Sequence, residues 1–197
     1  MKEKELNYFN NQIFASPKRG DLLISDPFLP DPNFERTVVL ICENNEEGSF
    51  GFVLNRPSHV RLHEVIDGMD NFPKPAYIGG PVQQDSLHFI HRGRFHLEGS
   101  TPLGDNVYWG GNFEQLKILA EDNMVSGDDA IFFIGYSGWS PGQLDRELKE
   151  KSWMVYPQAN GYQVFDERPE HLWKEVLTEM GGKYKMFANY PINPRLN

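Results

Sequence analysis

Two rhythms of apolar and polar residues run along the chain, and the rhythm breaks wherever glycine and proline cluster. Asp21 to Ser25 and the β-branched run Thr37 to Cys42 read as short strands, the second of central-strand type. Between them, DPFLPDP from Asp26 to Pro32 excludes a helix, because Pro27, Pro30 and Pro32 lack amide donors and hold their predecessors extended. A polar turn at Asn44 to Gly48 leads into Ser49 to Leu54, so these two strands predict a hairpin. Leu62, Val65 and Ile66 recur at helical spacing within Val60 to Ile66, with Gly68 as a stop. Ala76 to Ile78 and Leu87 to Ile90 are expected as strands flanking a Gly-Gly-Pro turn, and Val107 to Trp109 as a further strand. Asn112 is placed to cap a helix carrying Phe113, Leu116, Leu119 and Ala120 on one face, with Gln115 three residues after the cap. Ala130 to Ile134 is a second wholly apolar strand, which GYSGW turns into a helix from Pro141 to about Lys149. A last helix from about Pro169 to Met180 buries Leu172, Trp173, Val176, Leu177 and Met180 and ends at Gly181 and Gly182. Strands clustering early with helices irregularly interspersed predict an α+β fold: one compact domain with a mixed, largely antiparallel β core flanked by three or four helices.

Composition narrows the class of protein. A chain of 197 residues with 39% hydrophobic, 13% aromatic and 24% charged residues is that of a packed globule. The net charge of −9 repels phosphate backbones and anionic membranes, so direct DNA binding is disfavoured. Lys183, Lys185 and Arg195 form a locally basic stretch, read as a solvated tail. The single cysteine, Cys42, excludes an intramolecular disulfide. Met1 to Lys18 lacks a signal-peptide pattern, and no segment approaches the roughly 20 apolar residues of a membrane helix. The compartment these features imply is the cytoplasm.

Three separated segments share a further character. GDLLISDPFLPDPNFERTVVLICENNEEGSFGFVLNRP (Gly20 to Pro57), YIGGPVQQDSLHFIH (Tyr77 to His91) and GYSGWSPGQLDRELKEKSW (Gly135 to Trp153) resemble, in order and spacing, the AlgH/YqgE family of bacterial proteins. The resemblance implies a compact α+β domain over residues 20–182, preceded by a polar arm (1–19) and followed by a tail (183–197). It also implies a cytoplasmic bacterial protein without an assigned biochemical activity. Some members are labelled transcriptional regulators from a regulatory phenotype, yet no helix-turn-helix pattern is legible in this chain.

Candidate chemistry is sparse. Gly135-Tyr136-Ser137-Gly138-Trp139 imitates a nucleophile elbow, but Trp139 stands where the last glycine of G-x-S-x-G belongs, and the family pattern admits alanine in place of Ser137. Helix initiation explains the same segment: Ser140 as cap, Pro141 at the first position, Gln143 completing a capping box, and Trp139 with Leu144 as a hydrophobic staple. Gly142 stays unexplained by that account and suggests close packing or an open amide surface where an anion could sit. His88 and His91 alternate across a strand, while His59 and His63 lack a third ligand, so no metal is expected. Cys42 reads as a buried hydrophobe, and no phosphate-cradling glycine loop occurs, so no cofactor is expected either. Arg36 and Arg56 offer planar donors suited to carboxylate or phosphate.

These readings point to a noncatalytic regulatory or interaction module that binds a protein partner or a small anionic ligand. Its candidate contact residues are Asn55, Arg56, Gly79, Gly80, Trp139, Gly142 and Gln143, gathered around one shallow cleft. A serine hydrolase using Ser137 is the alternative, with a DNA-binding regulator third.

Overall fold

A computed structural model describes residues 16–165 and 168–190, in which the extended segments assemble as ten strands. They are β1 (Leu22–Ser25), β2 (Val38–Asn45), β3 (Gly48–Val53), β4 (Pro57–Arg61), β5 (Pro75–Ile78), β6 (Val82–Arg92), β7 (Thr101–Gly104), β8 (Val107–Trp109), β9 (Ala130–Trp139) and β10 (Trp153–Tyr156). Among the described residues the helices are α1 (Leu62–Val65), α2 (Phe113–Glu121), α3 (Gln143–Lys149), α4 (Gly161–Val164), α5 (Pro169–Met180) and α6 (Gly182–Phe187). The chain is thus an α+β single domain, and its sheet is antiparallel except where β5 runs parallel to β9.

The main ladder has the order β10-β1-β2-β3-β9-β6-β8-β7. Strand β9 organises it: Ala130 to Tyr136 pair with β6 on one edge, while Phe133 and Ile134 meet β5 and Ser137 to Trp139 meet β3 on the other. Such a strand is covered on both edges, which fits its apolar sequence. Strands β1 and β2 are also buried on both faces. Leu22, Ile24, Leu40 and Cys42 face the core beneath α5 and α6, and Leu23, Val39 and Ile41 face a second core built with α3, Trp139 and Trp153. The alternation of a strand sends successive side chains to opposite faces, so a two-sided strand reads as a continuous apolar run. A third core joins α2 to Phe72, Phe89 and Phe132.

The expected hairpin of β2 and β3, the strand at Val107–Trp109, the helix capped by Asn112 and the helix ending at Gly181 are present. Asn112 Oδ1 accepts from the Gln115 amide at 3.1 Å, although the Gln115 side chain serves Glu98 and not its own cap. Other expectations are corrected. Val60 to Ile66 holds only the one-turn α1, because Pro57 to Arg61 are drawn out to pair with β5 and that long-range ladder overrides weak helical spacing. Strand β9 continues through GYSGW to Trp139, and β6 reaches from Val82 to Arg92, both well beyond the short strands expected. The register of these two slips between Val82↔Tyr136 and Leu87↔Ile134, beside Gly135 at φ 66°. A bulge of that kind absorbs residues that a period-2 reading breaks off as a turn. The short strands β7 and β10 and the helix α4, with its Asn160/Gln163 capping box, escape a propensity reading.

Past Gly182 the chain is part of the packed body as far as it is described. Tyr184 and Ala188 sit in the core under the sheet, so α6 is not a solvated tail. Residues 1–15 of the expected arm and 191–197 of the expected tail lie outside the described residues.

Candidate functional site

Ser137 occupies the middle of a ladder. Its side chain is fully buried in β9 and its hydroxyl donates to the Gly79 carbonyl at 3.0 Å. Gly138 and Trp139 after it remain strand, paired with Phe50 and Ser49 of β3. The strand-to-helix elbow that would present a nucleophile is therefore absent, and Ser137 acts as a cross-strand tie.

Helix α3 begins later than the capping pattern predicts. Ser140 to Gln143 form a turn closed by Gln143 N–H donating to Ser140 O at 2.9 Å, with Gly142 at φ 71°, ψ 0°. Pro141 then Gly142 is the sequence of a type II turn, whose third residue needs positive φ; this is the missing reason for Gly142. Only half of the capping box forms: Ser140 N–H donates to Gln143 Oε1 at 3.0 Å, while the Ser140 hydroxyl caps nothing. With seven residues, α3 offers no extended amide cup for an anion, correcting the suggestion made for Gly142. The staple is intact, since Trp139 and Leu144 share one core.

The seven candidate contact residues separate by their engagements. Asn55 accepts from Val38 N–H at 3.0 Å and donates to Arg36 O at 2.8 Å, bracing the entry to β2. Arg56 donates to the carbonyls of Pro32 and Glu35, both at 3.1 Å, and so pins the proline-rich loop. Gly79 and Gly80 are buried against β9, where a Cβ would come within 2.3 Å of the Gly135 or Tyr136 backbone. Gln143 bonds Ser140 and Glu147. Of the seven, Trp139 alone lines the cleft described next.

That cleft, of about 660 Å³, opens between the β2–β3 hairpin and the C-terminal half of β9. Its walls are aromatic: the Phe50 ring lies 4.8 Å from Trp109 and 6.0 Å from Tyr136, in edge-to-face geometry, and His88 lies 5.8 Å from Tyr136. All four rings are half-buried, which leaves their outer surfaces open to a ligand. Burial lowers the His88 pKa, which favours the neutral ring, and its Nε2 sits 2.9 Å from the Ser86 hydroxyl. The charged lining residues are Glu43 and Glu47, with no lysine or arginine among them. Sequence reasoning missed Phe50, Trp109 and Tyr136 because they come from three strands that meet only through the β3-β9-β6-β8 order. Their shared signal was an aromatic residue at a strand position that also faces solvent.

Other chemistry finds little support. No group of three His, Cys, Asp or Glu residues capable of holding a metal occurs among the described residues. His91 is buried between Phe95 and Tyr108, with Nε2 3.0 Å from the Ser100 hydroxyl, while His88 faces the cleft. Cys42 is fully buried, and burial pushes its thiol pKa well up, away from nucleophile chemistry. No helix among the described residues is long and apolar enough to cross a membrane.

A β-rich α+β domain with an aromatic cleft between its strands is the class that fold and site define. The AlgH-like (DUF179) family model matches residues 22–185, and the chain belongs to that family. Among its relatives, a UPF0301 protein of Cytophaga hutchinsonii is 45% identical over 180 residues, covering 91% of this chain and 98% of the relative. One from Chlorobaculum tepidum is 41% identical over 184 residues, covering 93% and 98%. The solution structure of the AlgH protein from Pseudomonas aeruginosa superimposes with a TM-score of 0.68 at 29% identity, covering 90% of this chain and 97% of that one. A Corynebacterium diphtheriae crystal structure gives 0.75 at 24% identity, covering 93% and 97%, a likeness of fold.

Proposed function

We propose that this protein is a noncatalytic interaction module of the cytoplasm whose aromatic cleft receives a basic segment of a protein partner. The observation that carries the reading is the convergence of open Phe50, Trp109 and Tyr136 rings with a lining whose charged residues, among those described, are Glu43 and Glu47. Aromatic faces attract a lysine or arginine side chain through the ring quadrupole, and carboxylates at the rim add charge complementarity. Trp139 is retained from the seven candidates as part of the floor. The same carboxylates argue against a small anion in this cleft. The hydrolase alternative loses its accessible serine, and the net charge of −9 argues against direct operator contact. Any regulatory role is accordingly read as acting through a protein partner.

The test is an NMR titration of the full chain with short Arg/Lys-bearing peptides against matched Glu-bearing ones. Saturable binding of the basic peptides is expected, with shifts at Phe50, Trp109 and Tyr136. A Glu43→Gln/Glu47→Gln double variant should weaken it roughly 5- to 10-fold, and added salt should weaken it in the parent. Equal or tighter binding of the acidic peptides, or no saturation by the basic ones, overturns the reading.

A further inference from the structure

A second cavity, of about 340 Å³, lies at the opposite end of β9 from the aromatic cleft. Ala130, Ile131 and Phe132 of β9 form part of its wall, and Phe72, Tyr77 and Phe165 add aromatic surface. Its charged lining differs in sign: among the described residues Lys74, Arg92 and Arg94 line it, with one carboxylate, Asp128. In a chain of net charge −9, three cations around one concavity, set against the carboxylates of Asp128 and Asp129, leave a local excess of positive charge among the described residues.

Each cation is oriented by a hydrogen bond to a described residue. Lys74 Nζ donates to Asp128 Oδ1 at 2.6 Å, Arg94 donates to Asp129 Oδ1 at 3.0 Å, and Arg92 Nε donates to the Asp128 carbonyl at 3.0 Å. Arg92 is also stacked over Phe165, 4.2 Å from the ring centroid. A guanidinium has five N–H donors and an ammonium three, so these contacts orient the groups without using up their donors. Asp129 is buried and fixed by Ser126, whereas Asp128 is exposed. An exposed ion pair contributes little, and an incoming oxyanion can exchange with Asp128 at small cost.

We infer that this cavity is a binding site for a small organic anion, a phosphate or carboxylate carried on a planar apolar body. The oxyanion meets Lys74, Arg92 and Arg94 at the mouth, and the planar part lies against Tyr77, Phe132 and Phe165. Its volume falls at the lower end of the roughly 300–1,000 Å³ of small-molecule pockets, which sets the size of the ligand.

The probe is phenyl phosphate, titrated into the full chain by NMR beside inorganic phosphate and benzyl alcohol. Saturation with a Kd of about 1 mM or tighter is expected for phenyl phosphate, with amide shifts at Tyr77, Asp128 and Phe132. The other two probes should bind more weakly. Lys74→Gln/Arg94→Gln, both at exposed positions, should raise Kd about ten-fold or more by removing charge-assisted donors. Asp128→Asn should lower Kd by deleting the competing carboxylate. The inference is overturned if phenyl phosphate does not saturate, if the double variant binds it unchanged, if the shifts map to Phe50 and Trp109, or if inorganic phosphate or benzyl alcohol binds as tightly.

Discussion

Trp139 and Trp153 donate their indole N–H groups to the same oxygen, Oε2 of Glu147, at 2.9 and 2.7 Å. The rings meet edge-to-face with centroids 5.8 Å apart, and Phe34 packs against both. Gln143 donates to the other carboxylate oxygen at 2.8 Å. One glutamate of α3 thus ties the end of β9 to the start of β10. Glu147→Ala would leave two buried indole donors unpaired, at about 1–3 kcal/mol each. A loss of roughly 2–6 kcal/mol is expected from urea denaturation; a loss below about 1 kcal/mol would show that the shared acceptor carries little.

Gly80 and Gly142 both have positive φ, but only one is hemmed in. A Cβ on Gly80 would lie 2.3 Å from the Tyr136 carbonyl carbon and oxygen, whereas on Gly142 it would meet only Arg146 Nη1 at 3.8 Å. Gly80→Ala should cost about 3 kcal/mol through forced backbone displacement, and Gly142→Ala only about 1–2 kcal/mol for the left-handed conformation. Equal losses in chemical denaturation would contradict this contrast.

Ser137→Ala removes one hydroxyl whose acceptor, Gly79 O, also receives the Val53 amide at 2.9 Å. The expected loss is about 1 kcal/mol. Hydrolysis of an activated ester should be the same in parent and variant. A folded Ser137→Ala that lost esterase activity present in the parent would restore the hydrolase.

Acid should destabilise the fold through His88 and His91. Burial lowers both pKa values from 6.5, and the ring of His91 is enclosed by Phe95 and Tyr108. Between those lowered values and 6.5 the unfolded chain binds more protons than the folded one, so stability is full above pH 6.5 and falls as pH drops through that window. Denaturation midpoints at pH 7.5 and 5.5 check this. The drop should shrink in a His91→Gln variant, and an undiminished drop would assign it to other groups.

Legibility followed the range of the interactions involved. The run Thr37 to Cys42 and the helix after Pro169 were readable because each carries its own signal, an unbroken β-branched stretch and a 3.6-residue apolar stripe. Strand β4 was hidden because Val60 is the one β-branched residue in Pro57 to Arg61, too weak a signal without the pairing to β5. The GYSGW segment misled for a definable reason: a glycine pattern that breaks a strand in isolation is tolerated when both edges are paired and a bulge takes up the slack. Of the residues lining the candidate cleft, Trp139 stands in a legible motif, while Phe50, Trp109 and Tyr136 come together only through strand order. Asn55 and Arg56, expected as contact residues, engage their polar groups within the chain, where they brace loops.

The pairing of β1 with β10 bears on how the chain is made. Leu22 lies opposite Tyr156, 134 positions later in the sequence, while its other edge is filled early by Leu40. A ribosome working at about 5–20 residues per second needs on the order of 7–27 s to extend the chain across that gap. For that interval the nascent β1–β2–β3 unit presents an apolar open edge, the kind of surface on which two growing chains can pair with each other. A trigger for misassembly therefore sits in the first quarter of the polypeptide, and its cure in the last.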